Sequence, residues 1–122
     1  MKKIIYKNLK NTSSFTVAIN HVNNSKTILP HTLYKKMEEF ALISANPFEH
    51  IIVSKPALKK LNILKNAFLN DTLQLSSYIK KLENNELQLT IEVSKKNDNS
   101  NNIICNAFFS FILKENSIKK VS

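Results

Sequence analysis

The stretch Thr32–Ala45, TLYKKMEEFALISA, is the helical pattern that decides the fold of this chain. Pro30 stands just before it, where the start of a helix tolerates proline, and Asn46-Pro47 follows it, where a helix ends. Lysines and glutamates separate its apolar and small residues, which recur at helical spacing and are Leu33, Met37, Phe40, Ala41 and Ser44. We therefore predict one amphipathic helix here.

Strand patterns occupy most of the remaining sequence. Glu86–Val93, ELQLTIEV, alternates apolar and polar residues and predicts a strand with one wet face. Ile103–Leu113, IICNAFFSFIL, is apolar nearly throughout and predicts a central strand buried on both faces. Three further segments are predicted strands: Thr72–Leu82, the long segment His50–Lys65 with an interruption at Pro56, and Ser14–Ile19.

Two connections complete the predicted architecture. Glu83-Asn84-Asn85 predicts a tight hairpin, because Asn tolerates positive φ in place of glycine. The polar segment Lys95–Asn102 predicts a loop between the last two strands. The order of strand, helix and four strands predicts an α+β fold in which one helix packs on an antiparallel sheet. The length of 122 residues indicates a single domain over 1–122.

The composition excludes several classes of protein. The sequence contains no Gly, which removes glycine-rich phosphate loops. Cys105 is the one cysteine, so no intramolecular disulfide and no four-cysteine zinc site is expected, and we predict no metal. Apolar stretches such as Phe108–Leu113 are far shorter than the roughly 20 residues of a membrane span. The basic N-terminus has too short an apolar region for a signal peptide, so we expect a cytoplasmic protein.

The charge indicates an anionic partner without identifying it. All 18 basic residues are Lys, and the formal net charge is +9. Enrichment in Lys and Asn with no Arg and no Gly also indicates an AT-rich coding background. Both explanations remain open at the level of sequence.

Three stretches of the chain carry a resemblance to a known family. In His21–Ala41, Asn23 takes the place of a family Asn, Leu29-Pro30-His31 that of Phe-Gly-Gly, and Met37-Glu38-Glu39 that of Met-Asp-Glu. In Leu61–Leu73, Asn66 stands for a proline and Asn70-Asp71 for Gly-Asp. Asn106–Val121 is similar to the closing strand and tail of the family. With these stretches in order, the chain resembles the hotdog acyl-CoA thioesterases of the bacterial and brain acyl-CoA hydrolase group.

The resemblance implies a fold and a site. The implied hotdog fold has one long central helix wrapped by an antiparallel sheet of five or more strands. The implied site lies between two subunits, where Glu38 activates a water, Asn23 orients it, and the helix start near His31 holds the oxyanion. Lys26, Pro30 and His31 occupy family glycine positions. The alternative interpretation makes Glu38 part of a solvated helix face and Asn23 a turn residue.

The resemblance also implies partners. Acyl-CoA is the implied substrate, coenzyme A enters as part of that substrate with no separate cofactor, and a homodimer or higher oligomer is expected. The lysines that we assign to its phosphates are Lys65, Lys81, Lys119 and Lys120.

Two other functions stay open. The first is a non-catalytic hotdog subunit that binds an acyl thioester, RNA or a protein assembly. The second is a hydroxyacyl-thioester dehydratase, since NHVNNS and ILPH are similar to the loop and helix start of that family. Lys36 stands where the dehydratase helix carries its carboxylate, so this function ranks last.

Overall fold

Five antiparallel strands form one sheet in the computed structural model, which describes residues 10–83, 85–96 and 102–115. The strand order is β1-β3-β4-β5-β2, and helix α1 packs on one face of the sheet. The elements are β1 (Lys10–Thr16), α1 (Pro30–Ser44), β2 (Ala57–Ile63), β3 (Thr72–Glu83), β4 (Glu86–Lys95) and β5 (Ile103–Ile112), with 3-10 helices at Ile19–His21 and Asn46–Ile51. The predicted α+β hotdog architecture is confirmed. No helix among the described residues has the length and apolar character needed to cross a membrane.

The buried face of α1 is the one that the sequence predicts. Leu33, Met37, Phe40, Ala41 and Ser44 are its buried residues, and burial of each large apolar side chain contributes about 1.5–3 kcal/mol. Two contacts fix the helix over the sheet.

The first contact joins sulfur atoms, and the second joins hydroxyls. The Cys105 Sγ on β5 lies 3.6 Å from the Met37 Sδ, and burial raises the pKa of the Cys105 thiol to about 11. The Ser44 and Ser77 hydroxyls are hydrogen-bonded at 2.6 Å and link α1 to β3. The helix therefore reaches both β3 and β5 through side chains.

The strands β4 and β5 supply the floor of the core. The apolar face predicted for β4 is confirmed, with four buried residues, Leu87, Leu89, Ile91 and Val93. Its other face is less wet than predicted, because Thr90 is also buried. Phe109 and Phe111 of β5 pair with this row and are also buried. The expectation that β5 is buried on both faces holds only in part, because Asn106 and Phe108 on its outer face stay partly exposed. The Lys80 ammonium lies 3.5 Å from the centroid of the Phe108 ring.

The segment His50–Lys65 is a strand only in its second half. His50 belongs to the 3-10 helix Asn46–Ile51, and β2 begins only at Ala57. Pro56, which has no N–H to donate to a ladder, stands directly before the strand. The chain thus crosses from the end of α1 to the edge of the sheet before pairing begins.

The first strand also lies earlier than predicted. We expected Ser14–Ile19, whereas pairing with β3 runs over Lys10–Thr16. After it, the Ala18 N–H donates to the His21 Nδ1 at 2.9 Å within the 3-10 turn Ile19–His21. This local hydrogen bond takes the chain out of the extended conformation.

The ends of α1 and of the hairpin follow the local sequence signals. Pro30 is the first helical residue, since its fixed φ suits a helix start, so α1 begins two residues before the predicted Thr32. Glu83 pairs with Glu86, which leaves a two-residue connection as predicted, although Asn84 lies outside the described residues. Residues 97–101 of the predicted loop also lie outside them.

Two residues adopt left-handed backbone conformations without being glycine. Lys26 has a φ of 63° and Asn70 a φ of 74°. Both stand where the family resemblance places a glycine. Their turns are joined by a hydrogen bond from the Leu69 N–H to the Lys26 carbonyl at 2.9 Å. Asn tolerates this conformation, whereas in Lys the Cβ clashes with the backbone at a cost of about 1–2 kcal/mol.

We predict that Lys26→Gly raises the free energy of unfolding by roughly 0.5 kcal/mol, because relief of the Cβ clash outweighs the extra entropy that glycine gives the unfolded chain. Ser25→Gly in the same loop is the matched control, because Ser25 does not have a positive φ. The control should lower stability by a similar amount. Urea unfolding of both variants measures the change in the free energy of unfolding. Equal changes for the two substitutions would contradict backbone strain at Lys26.

Candidate active site

A paired carboxylate and phenol lie on the face of α1 next to its buried face. The Glu38 side chain is 26% exposed, and its Oε2 accepts a hydrogen bond from the Tyr34 hydroxyl at 2.9 Å. The Lys35 Nζ lies 3.9 Å from the Glu38 Oε1. The Tyr34 ring stacks on Phe109 of β5, with ring centroids 6.2 Å apart. The tyrosine, which packs on β5, therefore fixes the position of the carboxylate one helical turn further on.

This contact changes the acidity of the tyrosine. The hydrogen bond to Glu38, burial and the negative charge of Glu38 together raise the pKa of Tyr34 above its ordinary value of 10.0. The phenol therefore remains protonated at neutral pH and acts as a donor. One carboxylate oxygen is engaged by this donor, and the other faces the exposed ammonium of Lys35.

Asn23 organises the turn that precedes the helix. Its Oδ1 accepts hydrogen bonds from the Ser25 N–H at 2.9 Å and the Thr27 N–H at 3.1 Å. The Asn23 N–H donates to the Thr27 carbonyl at 3.0 Å, and Val22 bridges to Ile28. Because two backbone donors bind the oxygen, the orientation of the side-chain amide is fixed. Within the described residues, no partner is found for its Nδ2.

The helix start presents backbone donors rather than a capping side chain. Leu29 at the N-cap position makes no side-chain cap, and Pro30 has no N–H. His31 is exposed, and its side chain makes no hydrogen bond within the described part of the chain. The first amide groups of a helix have no carbonyl partner inside it, so the amide of His31 is one that a ligand can reach.

The other two histidines have different surroundings. His21 accepts the Ala18 N–H and stands edge-on to Phe15, with ring centroids 5.9 Å apart. Its role is to shape the chain after β1. His50 is an exposed residue of the second 3-10 helix.

The structure does not bring the three proposed catalytic residues together within one chain. No hydrogen bond or ion pair among the described residues joins Asn23, His31 and Glu38 to one another. Glu38 lies eight residues beyond Pro30, which is about 12 Å along the helix axis. A single chain therefore contains the parts of the predicted site at separate places.

The lysines assigned to coenzyme A also lie apart. Lys81 pairs with Gln88 beside the β3–β4 hairpin. Lys65 follows Ile63, which pairs with Cys105 near the start of β5, at the opposite end of the sheet. Lys119 and Lys120 fall outside the described residues.

The two described lysines have different electrostatic surroundings. The Lys81 Nζ lies 3.6 Å from Glu83 and 3.5 Å from Glu86. Hydrogen bonds from Ser110 and Gln88, followed by the charge of Lys81, lower the pKa of Glu86. The charge of Lys81 is thus balanced by two nearby carboxylates, whereas the exposed Lys65 ammonium donates a hydrogen bond to the side-chain oxygen of Asn102.

Two features of this region were missed in the sequence. One is Tyr34, whose i,i+4 spacing from Glu38 is a signal that could have found it. The other is a cleft of about 330 Å³ at the C-terminal end of α1, which no local sequence pattern predicts. Its lining residues are Leu42, Ala45, Asn46, Glu49, Ile52 and Phe111. Among the described residues, no group of three or more His, Cys, Asp or Glu is arranged to hold a metal ion.

Comparisons with known proteins find this fold among solved structures. An Asn-to-Ala variant of an acyl-CoA hydrolase from Staphylococcus aureus, in complex with coenzyme A, superposes with a TM-score of 0.79 at 15% identity over 88% of this chain. A hypothetical thioesterase from Streptococcus pneumoniae with coenzyme A superposes with a TM-score of 0.72 at 11% identity over 90% of this chain. A Streptococcus mutans protein bound to acetyl CoA superposes with a TM-score of 0.72 at 11% identity over 91% of this chain. The chain has the hotdog fold.

The extent of these matches limits what they establish. The chain covers 66% of the staphylococcal hydrolase, and 82% and 86% of the two streptococcal proteins. No protein-family model matches the sequence, and no curated protein matches it significantly. At these identities the likeness establishes the fold.

We predict that Glu38→Gln lowers the pKa of Tyr34 toward 10.0, because the negative charge that opposes phenol ionisation is removed. NMR titration of protein labelled at tyrosine measures the pKa of Tyr34. Since the folded pKa is raised, the stability from this contact is present at neutral pH and is lost as the pH rises through the folded pKa. Glu39→Gln, which removes the neighbouring exposed carboxylate, is the control. The same Tyr34 pKa in both variants would contradict the pairing.

Proposed function

We propose that this protein hydrolyses acyl-CoA thioesters and that Glu38 is the carboxylate that activates the attacking water. The observation that carries the proposal is the half-buried Glu38, held by Tyr34 on the central helix of a hotdog fold. The solved neighbours that bind coenzyme A or acetyl CoA support the choice of thioester.

The spacing of residues supports the same choice. Solved variants of the staphylococcal hydrolase replace an Asn and an Asp whose separation along the chain equals that of Asn23 and Glu38. The streptococcal thioesterase has solved variants at an Asp and a Thr, and their separation equals that of Glu38 and Ser54. The Thr replaced in the staphylococcal hydrolase lies one position further from its Asp. Asn23 and Glu38 therefore align with the Asn and the Asp of the staphylococcal hydrolase without an insertion or deletion between them.

In the proposed reaction, a water attacks the thioester carbonyl and gives a proton to Glu38. The Oε1 of Glu38, which faces the exposed Lys35 ammonium at 3.9 Å, takes this proton, since Tyr34 occupies Oε2. The Nδ2 of Asn23 and the first amides of α1 donate to the oxygen that becomes negative. When the carbon–sulfur bond breaks, the proton passes to the leaving thiol of coenzyme A. The products are a carboxylic acid and the free thiol.

We propose that two copies of the chain build this site. Asn23 and Glu38 lie apart in one chain, so Asn23 of one copy faces Glu38 of the other. Strand β2 is at one end of the sheet, where its outer edge is open to pairing. Exposed apolar residues accompany this edge, among them Leu58 and Ile63. A twofold axis along β2 would extend the sheet across both copies.

Lysines supply the proposed contacts to the phosphates of coenzyme A. Lys65 is the better placed of the two described candidates, since Lys81 is neutralised by Glu83 and Glu86. Lys119 and Lys120 stay predictions. The cytoplasm is the proposed location, since a single buried thiol fits a reducing compartment.

We predict that Glu38→Ala lowers kcat with butyryl-CoA by about 100-fold or more, because the general base is lost. Glu39→Ala, its exposed neighbour on the helix, should keep kcat within about twofold of the parent. A thiol-release assay measures both. Unchanged turnover in Glu38→Ala would remove Glu38 from the mechanism. A parent protein that binds coenzyme A without turnover would favour the non-catalytic hotdog subunit instead.

We predict that light scattering gives a particle of twice the chain mass of 14.0 kDa. Ile63→Glu should shift it toward the monomer, because it places a charge at the proposed β2 interface, where Ile63 is 46% exposed. Ile19→Glu is the matched control, since Ile19 is exposed but follows β1 at the opposite edge of the sheet. A parent protein with the mass of a single chain would contradict the shared site.

A further inference from the structure

The cleft at the end of α1 continues the face that carries Glu38. Tyr34, Glu38 and Leu42 follow one another at four-residue intervals, so they lie one above the next along the helix. Ala45 and Asn46 lie one turn further on and line the cleft together with Leu42. The candidate carboxylate and the cleft are therefore neighbours on one helix face.

Strand β5 provides a continuous aromatic floor beneath this face. Phe109 stacks under Tyr34, and Phe111 lines the cleft. These two residues are two positions apart in the strand, so their rings point to the same face about 7 Å apart. Both side chains are buried against the helix. The Tyr34–Glu38 pair and the cleft thus lie along the same row of β5 side chains.

The walls of the cleft are apolar and its rim is polar. Leu42, which is 52% exposed, and the half-buried Ile52 supply accessible hydrocarbon surface, and the other two apolar lining residues, Ala45 and Phe111, are buried. Asn46 and Glu49, at the far end, are exposed. Such a site suits an uncharged hydrocarbon chain that enters from the Glu38 side. The carboxylate of Glu49 would repel a chain that ends in an acid group.

We propose that this cleft binds the acyl chain of the thioester, that it suits chains of medium length, and that Leu42 is a specificity-determining residue. The inference rests on the proposed thioesterase function. Asn46 lies eight residues beyond Glu38, just past the end of α1, which is about 12 Å at the helical rise per residue. An extended chain advances about 1.2 Å per bond, so roughly ten carbons reach the rim. Leu42 lies about 6 Å from Glu38 along the axis, beyond the reach of a butyryl group.

The proposal predicts a dependence of activity on chain length. Each methylene that leaves water for an apolar cleft favours binding about fourfold. We expect kcat/KM to rise from butyryl-CoA to decanoyl-CoA and to level off at hexadecanoyl-CoA, whose last carbons pass the rim. A decanoyl chain with a terminal carboxylate should be a poorer substrate than decanoyl-CoA.

The decisive variant is Leu42→Trp, which fills the cleft behind the carboxylate. It should lower the ratio of the decanoyl-CoA to the butyryl-CoA kcat/KM at least tenfold, through KM. Ile43→Trp is the matched control, because Ile43 is an exposed neighbour that does not line the cleft. The control should keep the parent ratio. An unchanged ratio in Leu42→Trp, or the same fall in Ile43→Trp, would overturn the acyl site while leaving thioesterase activity in place.

A direct binding experiment separates the two proposals. If the parent protein hydrolyses none of butyryl-CoA, decanoyl-CoA and hexadecanoyl-CoA, the proposed function fails, and NMR with decanoate as the probe then tests the cleft alone. Amide shifts at Ala45, Ile52 and Phe111 that disappear in Leu42→Trp would support it. The absence of shifts at these residues would overturn it.

Discussion

The packing of α1 on a single sheet is the constraint from which the proposed site follows. Met37 and Ala41 are fully buried against strands β3 to β5, and the contact of Met37 with Cys105 fixes the rotation of the helix. Once that rotation is set, the adjacent helix face must point along β5. Tyr34 therefore stacks on Phe109 and holds Glu38 half-buried rather than in open solvent, so the position of the carboxylate is a consequence of core packing.

The lack of glycine is accommodated by hydrogen bonds around the helix start. Lys26 and Asn70 take up left-handed conformations, and the main chain joins the turns that contain them. Asn23 accepts two backbone N–H groups in the same loop. Its side chain therefore has two roles in the proposed mechanism, since its oxygen holds the turn and its Nδ2 remains available to a ligand. The interpretation of Asn23 as a turn residue and its proposed role in the site are compatible.

Spatial arrangement also changes how the charge of the chain is interpreted. Sequence alone gives an excess of nine positive charges, with lysines in every part of the chain. In the fold, Lys81 is matched by two glutamates, and Lys80 lies over the Phe108 ring. Lys65 stands at the opposite end of the sheet, where Lys95 pairs with Asp71. Only part of the formal charge is therefore available for an anionic partner.

The sequence by itself determined the helix, the hairpin between β3 and β4, and the apolar face of β4, because these depend on periodicity and on residues close in the chain. It also indicated Glu38 and Asn23 as candidates. The bounds of β1 and β2 depended on local turns that periodicity does not encode. Only the tertiary structure decided that Glu38 pairs with Tyr34 over Phe109 and that a cleft lies beyond Leu42. The reason is physical, since the floor under both comes from β5, far along the chain from the helix, and is formed only when strand and helix pack together.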